Sequence, residues 1–158
     1  MDWETPQWLF DKLYNEFEFH LDVCASDSNH KCNTYITEDK DSLSWGWKDY
    51  VLASEGYVSP TLSCWMNPPY GRGIDVWMKK AYEESFKGCI VVCLVPARTD
   101  TNWWWKYALQ AYEIRFIKGR LKFGGADNCA PFPSAIIIFN KCKGIEVPNI
   151  IWWDIKNE

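Results

Sequence analysis

Asn67-Pro68-Pro69-Tyr70 is the segment of this 158-residue chain whose residue types and spacing best suit chemistry. Proline locks φ at about −65° and has no backbone donor, so two in succession end a strand ladder and fix the adjoining peptide units. The Asn67 side-chain carbonyl and the rigidly held Pro68 backbone carbonyl then form a pair of acceptors. Such a pair suits a group presenting two N–H donors, and Tyr70 offers a flat aromatic face beside it. Other combinations carry less. Cys24, His30 and Cys32 are zinc-ligand types, but C-x5-H-x-C without a fourth ligand is poor spacing for a structural site, and no metal is expected. Neither His20 nor His30 stands at a recognisable spacing from a Ser or Cys nucleophile, which leaves hydrolytic triads unsupported. Gly71-Arg72-Gly73 is too short to be a phosphate-cradling loop.

The elements around this segment place it at a ligand-binding edge. Residues 62–66 read as a strand stopping at Asn67, and helical spacing follows over 74–86. The uninterrupted apolar run 89–95 reads as a strand covered on both faces. Before these lie a helix from Pro6 to Phe17, with Thr5 as N-cap, a buried strand over 19–25 and a shorter strand over 34–37. Residues 38–61 read as loop with a short helix at 48–53. After them come a helix over 101–111, strands at 113–117 and 135–139, and an edge strand within 150–155. Strands alternating with helices predict an α/β domain with a mainly parallel, right-handed sheet. Sheets of that kind bind ligands beyond the carboxyl ends of their strands, where Asn67 falls.

Composition sets the outer limits. The length fits one domain spanning 1–158, and 47% hydrophobic with 24% charged residues is a globular balance. Eleven tryptophans exceed the needs of so small a core, so some are expected to line a binding surface. No window of about 18 apolar residues exists, so no membrane span is expected. Met1-Asp2-Trp3-Glu4 does not resemble a secretory leader, and the seven scattered cysteines suit reduced thiols in a cytoplasmic protein. The net charge of −4 is unevenly spread. Residues 1–62 carry four Lys/Arg against twelve Asp/Glu, whereas 63–125 carry ten against five. A basic middle on an acidic chain can form a positive face for a polyanion, or simply solvated helix faces.

Ser63 to Gly71 resembles the (D/N/S)-P-P-(Y/F/W) motif of the amino-methyltransferases, and Asn first with Tyr last is typical of the adenine-directed members. An aromatic amine is a poor nucleophile because its lone pair is delocalised. Accepting both amine hydrogens favours the reactive pyramidal nitrogen and stabilises the positive charge that develops there. From about residue 3 to 140 the chain looks like the phage-encoded, Dam-like DNA N-6-adenine methyltransferases. The resemblance rests on Trp3-Glu4-Thr5-Pro6, Leu21-Asp22-Val23-Cys24-Ala25, Asn67-Pro68-Pro69-Tyr70-Gly71, Leu94-Val95-Pro96-Ala97-Arg98-Thr99-Asp100-Thr101 and Gly119-Arg120-Leu121-Lys122-Phe123.

That resemblance implies a Rossmann-like class I methyltransferase sheet, mainly parallel with an antiparallel C-terminal strand and helices on both faces. It implies S-adenosyl-L-methionine as cofactor, S-adenosyl-L-homocysteine as product and double-stranded DNA as partner, in the cytoplasm of a bacterial host. Asn67, Pro68, Pro69 and Tyr70 would be catalytic, with Tyr70 stacking on an extruded base. Thr5 and Pro6 resemble the N-terminal cofactor motif, and Asp22, Cys24 and Ala25 the first-strand motif. Asp41 is either a carboxylate contacting ribose or adenine, or a solvated loop acid. Arg98 either binds phosphate or shapes the pocket mouth. Arg120, Lys122 and Phe123 resemble a late motif holding the base and backbone, with a plain basic hairpin as the alternative. The usual Gly-rich turn after the first strand is replaced by Ser26-Asp27-Ser28-Asn29. Only 44–62 and 119–133 are spare for target readout, so specificity is expected to be short or relaxed, or to depend on a second subunit such as a homodimer partner. The competing readings are an RNA or protein-amide methyltransferase, and an inactive nucleic-acid-binding module.

Overall fold

The apolar run at the centre of the sequence is also the centre of the sheet. In a computed structural model, which describes residues 3–141 and 146–157, β4 (Cys89–Pro96) is the fourth of seven strands in the order β2-β1-β3-β4-β6-β5-β7. The others are β1 (Leu21–Ala25), β2 (Thr34–Thr37), β3 (Leu62–Met66), β5 (Glu113–Ile117), β6 (Ser134–Phe139) and β7 (Asn149–Trp153). β2, β1, β3 and β4 run parallel to one another. β6 is antiparallel to both β4 and β5, and β7 follows it in the chain, pairing parallel with β5. The antiparallel strand is therefore the second last, with one parallel edge strand after it.

Each face of the sheet has its own apolar layer. Val91, Cys93, Val95 and Ile137 pack with α2 (Trp47–Glu55), α3 (Ile74–Ser85) and α4 (Asn102–Lys106). Val92, Leu94, Ile136 and Ile138 pack with α1 (Gln7–Phe17) and with Leu121, Phe123 and Phe132 from the segment 118–133. Strand alternation sends neighbouring residues to opposite layers, which is why a strand buried on both faces reads as one continuous apolar run. α1 buries Leu9, Phe10 and Leu13 and ends in a left-handed Glu18 whose N–H donates to the Tyr14 carbonyl. α2 is pinned at its start, where Trp47 donates its backbone N–H to buried Glu84 of α3 at 3.1 Å and its indole N–H to Ser42.

Three local expectations change. Pro6 rather than Thr5 is the N-cap of α1, because its carbonyl accepts from Leu9 and Phe10 while the Thr5 hydroxyl is turned elsewhere. The helix expected over 101–111 stops at Lys106 and continues as a 3-10 turn at Ala108–Gln110, a tighter form that lets the chain enter β5 at Glu113. Most of 44–62 is also not free loop: α2 buries Trp47 and Val51, and 56–61 precedes β3 at the amino edge, where Lys48 donates to the Pro60 carbonyl. Of the three adjacent tryptophans, Trp103 and Trp104 are buried and Trp105 is exposed. Cys24, Cys32, Cys64, Cys89, Cys93 and Cys129 are free thiols, and Cys142 lies outside the described residues.

Candidate active site

The carboxyl ends of β1, β2 and β3 open onto a cavity of about 600 Å³. Cys24, Ala25 and Ser26 come from the end of β1, Ile36 and Thr37 from β2, Glu38 from the 3-10 turn that follows it, and Asn67 to Tyr70 from the turn after β3. β2 and β3 leave β1 on opposite sides, so this is the point where strand order reverses, the expected ligand crevice of such a sheet. No helix joins β1 to β2. The connection is a tight turn in which Ser26 and Asn29 exchange backbone hydrogen bonds, which accounts for the missing Gly-rich turn: there is no helix start for glycines to bring close.

Asp22 holds that turn in place. Its buried carboxylate accepts from the backbone N–H of Lys31 at 2.9 Å and of Cys24 at 3.2 Å. Burial raises its pKa, and the two N–H donors oppose the rise. Asp22 is thus directed at its own chain and is not among the cavity-lining residues, whereas Cys24 and Ala25 are. Burial also pushes the Cys24 thiol well above its ordinary range, with the Asp22 charge adding to the effect, which keeps it a neutral thiol.

The Asn67 amide is held by partners that fix which way it points. Its Nδ2 donates to the Trp3 carbonyl at 2.6 Å and to the Thr5 hydroxyl at 3.0 Å. Its Oδ1 accepts from the Tyr70 hydroxyl at 2.8 Å. That hydroxyl also lies 3.1 Å from the Leu94 carbonyl, so one proton serves two acceptors. Burial drives the Tyr70 pKa well up and keeps the proton in place. Asn67 Oδ1 retains a second lone pair for a ligand. Among the described residues, no backbone N–H takes the Pro68 carbonyl. Pro68 is buried and Pro69 exposed.

An aromatic cluster backs this constellation. Tyr70 makes edge contacts to Phe123 and Phe132, with ring centroids at 6.1 and 5.6 Å, and Trp3 meets the same two rings at 5.3 and 5.1 Å. Phe123 is fully buried within it, while Arg120 and Lys122 on the same segment are exposed. The segment 118–133 lies at this edge because β5 runs parallel to β4 and β6 returns antiparallel. Both ends of the excursion are thereby brought to the carboxyl side.

The remaining candidates divide. Asp41 lines the cavity in a left-handed conformation (φ 53), which Asp tolerates better than most residues, and turns the chain so that Ser42 and Leu43 follow it there. Thr5 is buried against Asn67, and Pro6 caps α1; neither lines the cavity. Arg98 lies in a second cavity of about 600 Å³, formed by Gly71 to Asp75 and by Pro96, Arg98 and Thr101 to Trp103, with its guanidinium 5.8 Å from the Phe132 ring centre. Sequence reasoning missed Trp3, Glu38 and Trp77 as cavity residues. The surplus of tryptophan was the available signal for two of them. Glu38 looked like one acid among several on a polar loop. Among the described residues, no group of three or more His, Cys, Asp or Glu side chains converges as a metal site.

A family model described as DNA N-6-adenine-methyltransferase (Dam) matches residues 2–144. A DNA N-6-adenine-methyltransferase of Haemophilus phage HP1 (strain HP1c1) is 28% identical over 117 residues, covering 73% of this chain and 61% of that protein. A DNA N-6-adenine-methyltransferase of Escherichia phage T1 is 29% identical over 122 residues, covering 75% of this chain and 45% of that protein. The matched region thus spans about half to three-fifths of those two relatives.

Proposed function

As the chain belongs to the DNA N-6-adenine-methyltransferase (Dam) family, we propose that it transfers a methyl group from S-adenosyl-L-methionine to the exocyclic N-6 amine of adenine in double-stranded DNA. The observation that carries this reading is the Asn67 amide, whose Nδ2 is committed to Trp3 and Thr5 and whose carbonyl, like that of Pro68, is an acceptor on a residue lining the crevice. Those two acceptors match the two hydrogens of an aromatic amine. Hydrogen bonds to both draw the nitrogen towards a pyramidal geometry and stabilise the positive charge it gains, a gain made in the transition state and not in the ground state.

The cavity suits the cofactor. Its volume lies within the usual range of about 300–1,000 Å³ for small-molecule sites. Val23, Ile36, Leu43 and Trp77 offer apolar walls for an adenine ring, while Glu38 and Asp41 offer carboxylates for ribose hydroxyls. When bound, S-adenosyl-L-methionine supplies an electrophilic methyl on a sulfonium and leaves as S-adenosyl-L-homocysteine. The residues of this chain then have three tasks: to hold that ligand between the ends of β1 and β2, to fix the amine with Asn67 and Pro68, and to keep water from the Tyr70 side with the Trp3, Phe123 and Phe132 rings. No strong base is needed, because a methylated aryl-ammonium gives up its proton readily to water.

Adenine inside a duplex cannot reach Asn67, so the base must be extruded. Exposed Arg120 and Lys122 stand on the segment that carries Phe123, and Arg98 lies in the neighbouring cavity; these cations suit DNA phosphates. Target readout falls to 118–133, since most of 44–62 is committed to the core and the amino edge. Acting on DNA, the protein would work in the cytoplasm of the bacterial host; among the described residues, no helix is long and apolar enough to cross a membrane. A homodimer would enlarge the small surface available for readout.

The test is transfer of labelled methyl to unmethylated double-stranded DNA, with nucleoside analysis and an Asn67→Ala control. Methylated adenine that disappears in the control, with cofactor affinity retained, is expected. Methyl appearing only on RNA or protein would replace the substrate, and absence of cofactor binding would return the chain to a binding module.

A further inference from the structure

Resting on the reading that Asn67 receives the target amine, we propose that Thr5 is a positioning residue: with the Trp3 carbonyl, its side chain fixes which face of the Asn67 amide meets the substrate. A primary amide can turn over with almost no change of shape, exchanging an acceptor for a two-proton donor. In the wrong orientation Asn67 would present N–H groups to an amine that also presents N–H groups, and the site would repel its substrate. The two prolines fix the backbone but have no hold on this side-chain torsion.

The strap formed by Trp3, Glu4 and Thr5 supplies the missing constraint. The Trp3 carbonyl can only accept, so at 2.6 Å the atom facing it must be Nδ2. The Thr5 hydroxyl, 3.0 Å away, takes the other amide proton. Both protons are then committed, and Oδ1 is turned to the Tyr70 hydroxyl, on a residue that lines the cavity. Thr5 is 3% exposed, which leaves little room for water to replace its hydroxyl. The strap is itself fixed on both sides. Gly124 donates its N–H to the Glu4 carbonyl at 2.8 Å, the Trp3 ring packs on Phe123 and Phe132, and the Pro6 carbonyl caps α1. Residues more than sixty positions apart in sequence thus set one torsion in the site.

The experiment compares wild type with Thr5→Val, which keeps the shape and removes the acceptor, and Thr5→Ser, which restores it. Three quantities are read: the single-turnover rate of methyl transfer to unmethylated double-stranded DNA, the equilibrium affinity for S-adenosyl-L-methionine, and hydrogen exchange of the Asn67 side-chain amide by NMR. Thr5→Val is expected to slow transfer about tenfold, the effect of one buried hydrogen bond, while cofactor affinity stays within about twofold. Its Asn67 amide should exchange faster, and Thr5→Ser should recover both rate and protection. Loss of cofactor affinity with an unchanged single-turnover rate would overturn the proposal and make Thr5 a cofactor residue. Unchanged amide exchange in a folded Thr5→Val would overturn it as well. If the wild type methylates no adenine, the function reading fails on its own, and the amide exchange still decides whether Thr5 holds Asn67.

Discussion

Replacing Tyr70 by phenylalanine removes one oxygen and leaves the ring where it packs, on the edges of Phe123 and Phe132. That oxygen lies 2.8 Å from Asn67 Oδ1 and 3.1 Å from the Leu94 carbonyl, and burial keeps it protonated across the neutral and mildly alkaline range. Stranding a buried hydrogen-bond partner costs about 1–3 kcal/mol. The lower part of that range applies, because one proton is shared between the two acceptors and Asn67 is a half-buried residue lining a cavity. We therefore expect Tyr70→Phe to lose about 1–2 kcal/mol of stability, seen as a fall of about 2–8 °C in Tm for a chain of this size. If the same anchoring is needed at the transition state, single-turnover transfer slows about 5- to 30-fold at saturating cofactor. Tyr70→Ala loses the ring in addition and should be slower still. A Tyr70→Phe variant with unchanged Tm and rate, beside a crippled Tyr70→Ala, would refute the reasoning: Tyr70 would then act only through the face of its ring.

Glu84→Ala should destabilise the fold by about 3 kcal/mol in denaturant melts, because it leaves the buried Trp47 N–H and the largely buried Lys80 ammonium unpartnered; Glu84→Gln should recover part of the loss. Arg98→Ala, Arg120→Ala and Lys122→Ala should each weaken DNA binding and reduce the slope of log affinity against log salt by about 1, and a variant with the wild-type slope makes no phosphate contact. Glu55 accepts from the Thr34 hydroxyl and from His20, and the Thr34 bond, aided by His20, holds its carboxyl below the ordinary 4.5. A depressed pKa in the folded state gives stability that is fully present above 4.5 and is lost as pH falls through the folded value, so Glu55→Gln should melt below wild type at pH 6 and converge with it in acid.

Much of the architecture was legible because it depends on local patterns. The apolar run of β4, the strand that stops at two prolines and the alternation of strands with helices all follow from side-chain period and from the missing donor of proline. The placing of the Asn-Pro-Pro-Tyr segment at the ligand edge of the sheet was also legible, since its two prolines close β3 there. What the sequence could not assign were partners chosen across the fold. Asp22 reads as a ligand residue, and nothing local says that Lys31 returns to it or that each of its oxygens accepts from the backbone of its own turn. Thr5 looked like a cap, yet its hydroxyl faces Asn67. Phe123 joins Trp3 and Tyr70 only because β5 runs parallel to β4 and delivers the chain to the carboxyl edge, where β6 starts back. Residue type fixes what a group can donate or accept. Which group it meets depends on the sheet order and register that bring distant segments together, and a hydrogen bond between positions sixty residues apart leaves no periodic trace in the chain.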